Sequence, residues 1–209
     1  IAADGGQPDS SRMISAPVFR FAPSPNGPLH LGHAYCALLN ARLAARLGGR
    51  LLLRIEDIDV ERCTPAFEAA MLEDLAWLGL RWEEPLQRQS EHFADYRAAL
   101  YRLRRDGLVY PAFMSRGEVR AAIAETREGG RDWPLDPDGV PHYPPHDRSL
   151  PQAVRAERIA EGRPFAWRLD MHAAVEAVGK RLCWREFVGP DLAATREIAA
   201  EPEAWGDVV

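Results

Sequence analysis

Cysteine is scarce in this sequence: its 209 residues include three, Cys36, Cys63 and Cys183, each far from the others. That spacing excludes a disulfide framework and a structural zinc site built on closely spaced thiolates, leaving reduced, buried thiols as the expectation. Long apolar runs are also missing, so no stretch is suited to spanning a bilayer. The polar residues 1–12 have no signal-peptide core, and a cytoplasmic protein is predicted. Nor is there an excess of positive charge, because 26 Lys and Arg face 31 Asp and Glu for a net charge of −5. Indiscriminate nucleic-acid binding is thereby excluded, and any RNA site has to be a local patch. No internal repeat is visible.

What is present concentrates in residues 20–33, Arg-Phe-Ala-Pro-Ser-Pro-Asn-Gly-Pro-Leu-His-Leu-Gly-His. Val18 to Phe21 alternates like a strand, Pro23 to Pro28 can continue neither helix nor strand, and an apolar helical pattern opens at Leu29. His30 and His33 therefore sit at a helix start, where unpaired N–H groups and the macrodipole suit phosphate. Three residues apart, they share one face, and Gly32 between them leaves room for a flat base or ribose. An isolated H-x-G-H also fits a Pro-rich turn with two incidental histidines; the surroundings decide.

From Gly49 the chain runs Arg50-Leu-Leu-Leu-Arg-Ile55, a short apolar run of the kind that forms a buried parallel strand, and then Glu56-Asp57-Ile58-Asp59. Strand, helix, strand makes a crossover unit, and open parallel sheets bind ligands at the carboxyl ends of their strands. Arg20 offers a fork for a carboxylate, and Glu56 an acceptor for an ammonium group. Phosphate donors beside receptors for a carboxylate and an ammonium group are what ATP-dependent activation of an amino acid requires.

These residues carry a family resemblance. Arg20-Phe-Ala-Pro-Ser-Pro-Asn-Gly27, His30-Leu-Gly-His33 and Arg54-Ile-Glu-Asp-Ile-Asp59 resemble the motifs of class I glutamyl/glutaminyl-tRNA synthetases. Adding Trp77-Leu-Gly-Leu-Arg-Trp82 and Trp167-Arg-Leu-Asp-Met171, the chain is most similar to the short glutamyl-queuosine tRNA(Asp) paralogues, which lack an anticodon-binding domain. Asn26, where glutamyl enzymes usually have Thr, also resembles glutaminyl enzymes. The resemblance spans about Pro17 to Val209, with most of its motifs before residue 82.

The resemblance implies an α/β fold with a class I Rossmann-like catalytic core, a parallel sheet and a small insertion subdomain. Residues 1–12 are expected to be a disordered or tag-derived leader, with Met13 the original start. Residues 13–108 form the first half of the catalytic domain, 109–163 the insertion, and 164–209 the start of the return. Arg20, Ala22, Ser24 and Glu56 would contact glutamate; Pro23, His30, Gly32 and His33 would contact ATP, with His30 and His33 catalytic. The substrates implied are L-glutamate and ATP with Mg²⁺, and the glutamyl group would pass to queuosine in the anticodon of tRNA(Asp). A monomer with no membrane association is expected. Charging of tRNA(Glu), or a non-catalytic remnant that binds nucleotide or tRNA, stays open. The family's lysine loop of KMSKS type has no match, nor do the downstream Tyr and Arg of its glutamate pocket. Weak or absent activity is the expectation for a polypeptide of this length.

A second departure concerns metal. The paralogues often carry a C-x-C pair and a third Cys, whereas Ala112 and Met114 stand at the first two positions here and Asp147 near the third. No structural zinc is expected. His142, His146 and Asp147 lie in a Pro-rich loop that offers no regular face for an H-x₃-H pair.

Remaining segments read as structural. Ala34 to Leu47 and Pro65 to Leu78 have the periodicity of helices packed on a sheet, with Phe67, Met71 and Trp77 as core candidates. Thr64-Pro65 fits an N-cap and first helical residue, so Asp57 and Asp59 are expected to shape that turn. Residues 91–107 form a helical pattern bearing Arg97, Arg102, Arg104 and Arg105, either a solvated face or an RNA-backbone contact. Residues 128–149 are irregular, 151–161 a short helix and 165–170 a strand.

Overall fold

The computed structural model describes residues 16–189 and 194–209. The expected leader and Met13 lie outside the described residues. The chain divides into two compact units, with the boundary between Arg97 and Ala98.

The first unit is a three-stranded sheet with all strands parallel, in the order β1 (Val18–Phe21), β2 (Arg50–Ile55), β3 (Glu83–Arg88). Helix α1 (Leu31–Arg46) connects β1 to β2, and α2 (Pro65–Trp77) connects β2 to β3. The core brings together Phe21 of β1, Ala37 of α1, Leu53 and Ile55 of β2, Met71 and Leu75 of α2, and Leu80. Full burial of a side chain the size of Ile55, Met71 or Leu75 contributes about 1.5–3 kcal/mol each. Thr64 caps α2 by accepting from the Phe67 N–H at 3.3 Å, with Pro65 in the first turn, as the sequence predicts.

Three expectations need correction. Trp77 is 84% exposed, because it follows the buried Leu75 by two residues, or roughly 200° around the helix. Phe67 is half-buried. The thiols are not uniformly buried: Cys36 and Cys183 are exposed and Cys63 is intermediate. Cys36 precedes the buried Ala37, which turns it off the sheet-facing stripe of α1.

The unit boundary falls within α3 (Phe93–Arg105). The second unit pairs β4 (Val109–Ala112) antiparallel with β5 (Ala166–Leu169), so that Ala112 faces Ala166. Between them lie α4 (Arg116–Glu128), a segment without helix or strand whose isolated bridge joins Leu135 to Pro141, and α5 (Gln152–Ala160). Helix α6 (Met171–Val178) follows β5, and β6 (Cys183–Val188) pairs antiparallel with β7 (Ala194–Ala199). Among the described residues no helix is long and apolar enough to cross a membrane.

Candidate nucleotide and amino-acid site

The carboxyl ends of β1 and β2 are tied together. Phe21 stands beside Leu53 in the ladder, and three residues beyond that rung the Glu56 N–H donates to the Pro23 carbonyl at 2.9 Å. Pro23 and Pro25 are buried, the Thr64 N–H donates to the Pro25 carbonyl at 3.3 Å, and the Asn26 N–H closes a turn onto the Ser24 carbonyl at 2.9 Å. A segment poor in backbone donors is thus pinned by the elements on either side. Arg20 lies on β1 with an exposed side chain, Ala22 is half-buried, and Ser24 is exposed.

The two histidines cap α1 reciprocally. His30, the N-cap residue, accepts from the Gly32 N–H at Nδ1 (3.1 Å), while Nδ1 of His33 accepts from the His30 N–H (3.3 Å). Their rings stack with centroids 3.8 Å apart. A ring nitrogen that accepts carries no proton, so this geometry selects neutral imidazoles with Nε2–H as the remaining donor. Burial, followed by the neighbouring His30, holds the His33 pKa below its ordinary 6.5. The arrangement corresponds to an S-x-x-E capping box built from imidazoles, a signal present in the H-x-x-H spacing but missed by the sequence reading.

Two parts of that reading change. The Gly32 N–H is occupied by His30, so it is not one of the unpaired helix donors. A Cβ on Gly32 would lie 3.0 Å from His30 Cε1 and 3.2 Å from its Nδ1, so the missing side chain makes room for the capping imidazole.

The carboxylates after β2 have separate partners. Glu56 is half-buried and paired with Arg54, whose buried Nε has no hydrogen-bond partner among the described residues. Asp59 accepts from Arg62 Nε at 2.6 Å and shapes the turn as expected. Asp57 instead reaches beyond β3, accepting from the Ser90 N–H at 2.8 Å and the Ser90 hydroxyl at 2.5 Å. Only tertiary structure reveals that link, since the two residues lie 33 apart in sequence.

A family model described as tRNA synthetases class I (E and Q), catalytic domain, matches residues 18–176. The chain belongs to this family. A Glutamyl-Q tRNA(Asp) synthetase of Rhodobacter capsulatus is 43% identical over 92% of this chain and 66% of its own length. Glutamate–tRNA ligase 2 of a Methylobacterium species is 41% identical over 93% of this chain and 35% of its own length. Among solved structures, a glutamate tRNA ligase from Elizabethkingia meningosepticum in complex with its amino acid has a TM-score of 0.64 at 25% identity. It covers 91% of this chain and 37% of that one. The chain therefore spans just under two thirds of the first relative and about a third of the second.

In this class I synthetase chain, Ala112 and Asp147 do not fit a metal. Ala112 is buried in β4 and has no ligand atom in its side chain. Asp147, fully buried, accepts at Oδ2 from the Phe113 N–H (2.6 Å), the Met114 N–H (3.2 Å) and the Tyr143 hydroxyl (2.5 Å), while Arg158 lies 3.4 Å from Oδ1. Those donors occupy a carboxylate that a cation would need. Burial and then the Asp147 hydrogen bond push the Tyr143 hydroxyl up to about 12, which keeps it a donor. His142 Nε2 lies 3.0 Å from the Ala204 carbonyl, and His146 is exposed. Among the described residues, no group of three or more His, Cys, Asp or Glu is placed to hold a metal ion.

Proposed function

We propose that this chain supplies the phosphate-facing and ammonium-facing groups of a site that activates L-glutamate with ATP, Mg²⁺ entering with the nucleotide, and that activity of the 209 residues alone is weak. The observation that carries the reading is the convergence at the carboxyl ends of β1 and β2, where Pro23 and Glu56 are hydrogen-bonded. His30 and His33 open the helix that follows this loop, and their Nε2–H groups would donate to phosphate oxygens as charge builds there. Pro23 and Gly32 would flank the nucleotide. The Arg20 side chain, on exposed β1 surface, has no hydrogen-bond or ion-pair partner among the described residues and would take a glutamate carboxylate, Ala22 and Ser24 would line the pocket, and Glu56 would receive the ammonium group.

The glutamate α-carboxylate attacks the α-phosphorus, pyrophosphate leaves, and glutamyl-adenylate forms without a covalent enzyme intermediate. The side chains contribute alignment and charge stabilisation. Similarity to the Rhodobacter protein, a Glutamyl-Q tRNA(Asp) synthetase by name, supports tRNA(Asp) as the partner, with queuosine in its anticodon as the proposed acceptor. The Methylobacterium ligase supports tRNA(Glu) as the second reading.

Glutamate-dependent ATP–pyrophosphate exchange tests activation. Transfer of labelled glutamate to queuosine-containing tRNA(Asp), with tRNA(Glu) and queuosine-free tRNA(Asp) alongside, tests the acceptor. Exchange is expected to require glutamate, with label appearing on tRNA(Asp) only when queuosine is present. Exchange independent of glutamate refutes activation, and label on tRNA(Glu) alone selects the second reading.

A further inference from the structure

We propose that Asp57 and Ser90 form a positioning pair that sets the direction of the Glu56 carboxylate, and with it the affinity of the site for the ammonium group of an amino acid. The inference rests on the proposed function in one respect, that Glu56 receives that ammonium group. Its evidence lies within the first unit.

The β2–β3 ladder is interrupted just before the site. Leu52 pairs with Glu83 and Arg54 with Gln87, so two residues advance on β2 while four advance on β3. The rungs Arg54–Gln87 and Ile55–Arg88 follow, and there both strands end. Beyond them the Glu56 N–H turns the other way, to the Pro23 carbonyl after β1. Asp57 resumes the link to β3 with its side chain. Continuing the register of the last two rungs sets Asp57 opposite Ser90, and the Asp57 carboxylate accepts the Ser90 N–H at 2.8 Å and the Ser90 hydroxyl at 2.5 Å. The carboxylate thus stands in for a further rung.

The far end of this link is itself fixed. Arg88, which closes β3, donates from Nε and Nη2 to Glu68 of α2 at 3.0 and 2.6 Å. Ser90 lies in the 3₁₀ turn Gln89–His92 that follows directly. Glu56 is therefore flanked by ties in opposite directions across the sheet, to Pro23 and, through its neighbour Asp57, to Ser90. Main chain held on both sides cannot turn about its own axis, and the pairing with Arg54 restricts the Glu56 side chain that remains.

A carboxylate that only shaped its own turn would accept from near neighbours, as Asp59 does from Arg62. Asp57 reaches across 33 residues, is half-buried, and has no cationic partner among the described residues. An ionised carboxylate only accepts, so two donors from one residue hold it in a single orientation. Small displacements of a receptor group weaken an aligned site, and a lost hydrogen bond to a charged group weakens it further. The role is geometric: Asp57 acts on the ligand through Glu56.

The experiment is an NMR titration of the ¹⁵N-labelled 209-residue protein with L-glutamate and, separately, with ATP and Mg²⁺, followed at the Glu56 and His33 amides. It is repeated with Ser90→Ala, Asp57→Ala, the two combined, and Asp57→Asn. Asp57→Ala is expected to raise the glutamate Kd by about ten-fold and Ser90→Ala by about three-fold, with the ATP Kd changing by less than about two-fold. The combined variant should be no weaker than Asp57→Ala, because the two residues act through one contact. Asp57→Asn still accepts the Ser90 N–H while its amide donates to the hydroxyl, so it should restore the glutamate Kd to within about two-fold of the unsubstituted protein. Thermal melting checks that each variant is folded; if Asp57→Ala is not, Ser90→Ala and Asp57→Asn decide. Equal shifts in both dissociation constants, or an Asn variant as weak as the Ala variant, overturn the positioning role. Glutamate binding that the substitutions leave unmoved refutes the pair alone, whereas no response to glutamate in the unsubstituted protein refutes Glu56 as the ammonium receptor and the pair with it.

Discussion

Gly32 stands where a Cβ would come within 3.0 Å of His30 Cε1, so the smallest residue and the capping imidazole are spatially coupled. Gly32→Ala tests that coupling against helix propensity, which favours Ala over Gly by up to ~1 kcal/mol. The melting temperature is expected to hold or rise while the His30 ring shifts by a few tenths of an ångström. Because small misplacements in an aligned site lower rates strongly, glutamate-dependent pyrophosphate exchange should fall about ten-fold. Unchanged exchange in a stable variant would remove His30 from the proposed phosphate site.

Glu56 is already paired with Arg54, which orients its carboxylate. Replacing Glu56 with Gln keeps the size and loses the charge. A hydrogen bond between charged groups is worth about 1.5–3 kcal/mol, so KM for glutamate should rise by about ten-fold or more, with KM for ATP little changed. Equal shifts in both constants would point to disruption of the Pro23–Glu56 tie instead.

The readability of this site follows from the range of the interactions that build it. Strands β1 and β2 were legible because the alternation of Val18 to Phe21 stops before Pro23 and the apolar run of Arg50 to Ile55 stops at Glu56, and the Thr64-Pro65 start of α2 is a local signal. Strand β3 was not, since Glu-Glu-Pro-Leu-Gln-Arg has neither an apolar run nor alternation, and Pro85 is tolerated because β3 is an edge strand. His30 and His33 were found by motif, but their mutual capping was hidden because imidazole is not among the usual N-cap side chains. Asp57 read as a turn former until the fold brought Ser90 to it, and Asp147 read as a lost metal ligand until four donors were seen around it.

Acidification should dismantle the histidine cap. Folding holds the His33 pKa below 6.5, so the unfolded chain takes up this proton first. The stability contributed by neutral His33 is therefore complete above pH 6.5 and lost as pH falls through the lowered folded-state value. Protonated Nδ1 can no longer accept from the His30 N–H. His172 provides the opposite sign: its hydrogen bond to Glu203 raises its pKa, so its contribution is complete below pH 6.5 and disappears as pH rises through the raised value. Imidazole ¹⁵N NMR should place the two midpoints on opposite sides of 6.5. A His33 midpoint above that of His172 would contradict the capping geometry.

Asp147 sets the largest single stability effect predicted for the second unit. Its buried carboxylate receives the amides of Phe113 and Met114 together with Tyr143, and Arg158 balances its charge. Asp147→Asn removes the charge and turns one acceptor oxygen into a donor among donors, which should cost about 3 kcal/mol in urea unfolding. Tyr143→Phe deletes one hydroxyl from the same carboxylate and should cost about 1 kcal/mol. Amide exchange at Phe113 and Met114 should accelerate in the Asn variant more than at Leu53 or Ile55, which lie in the other unit. If Asp147→Asn unfolds at the same urea concentration as the unsubstituted protein, the carboxylate is not what fixes the end of β4 to the 143–147 loop.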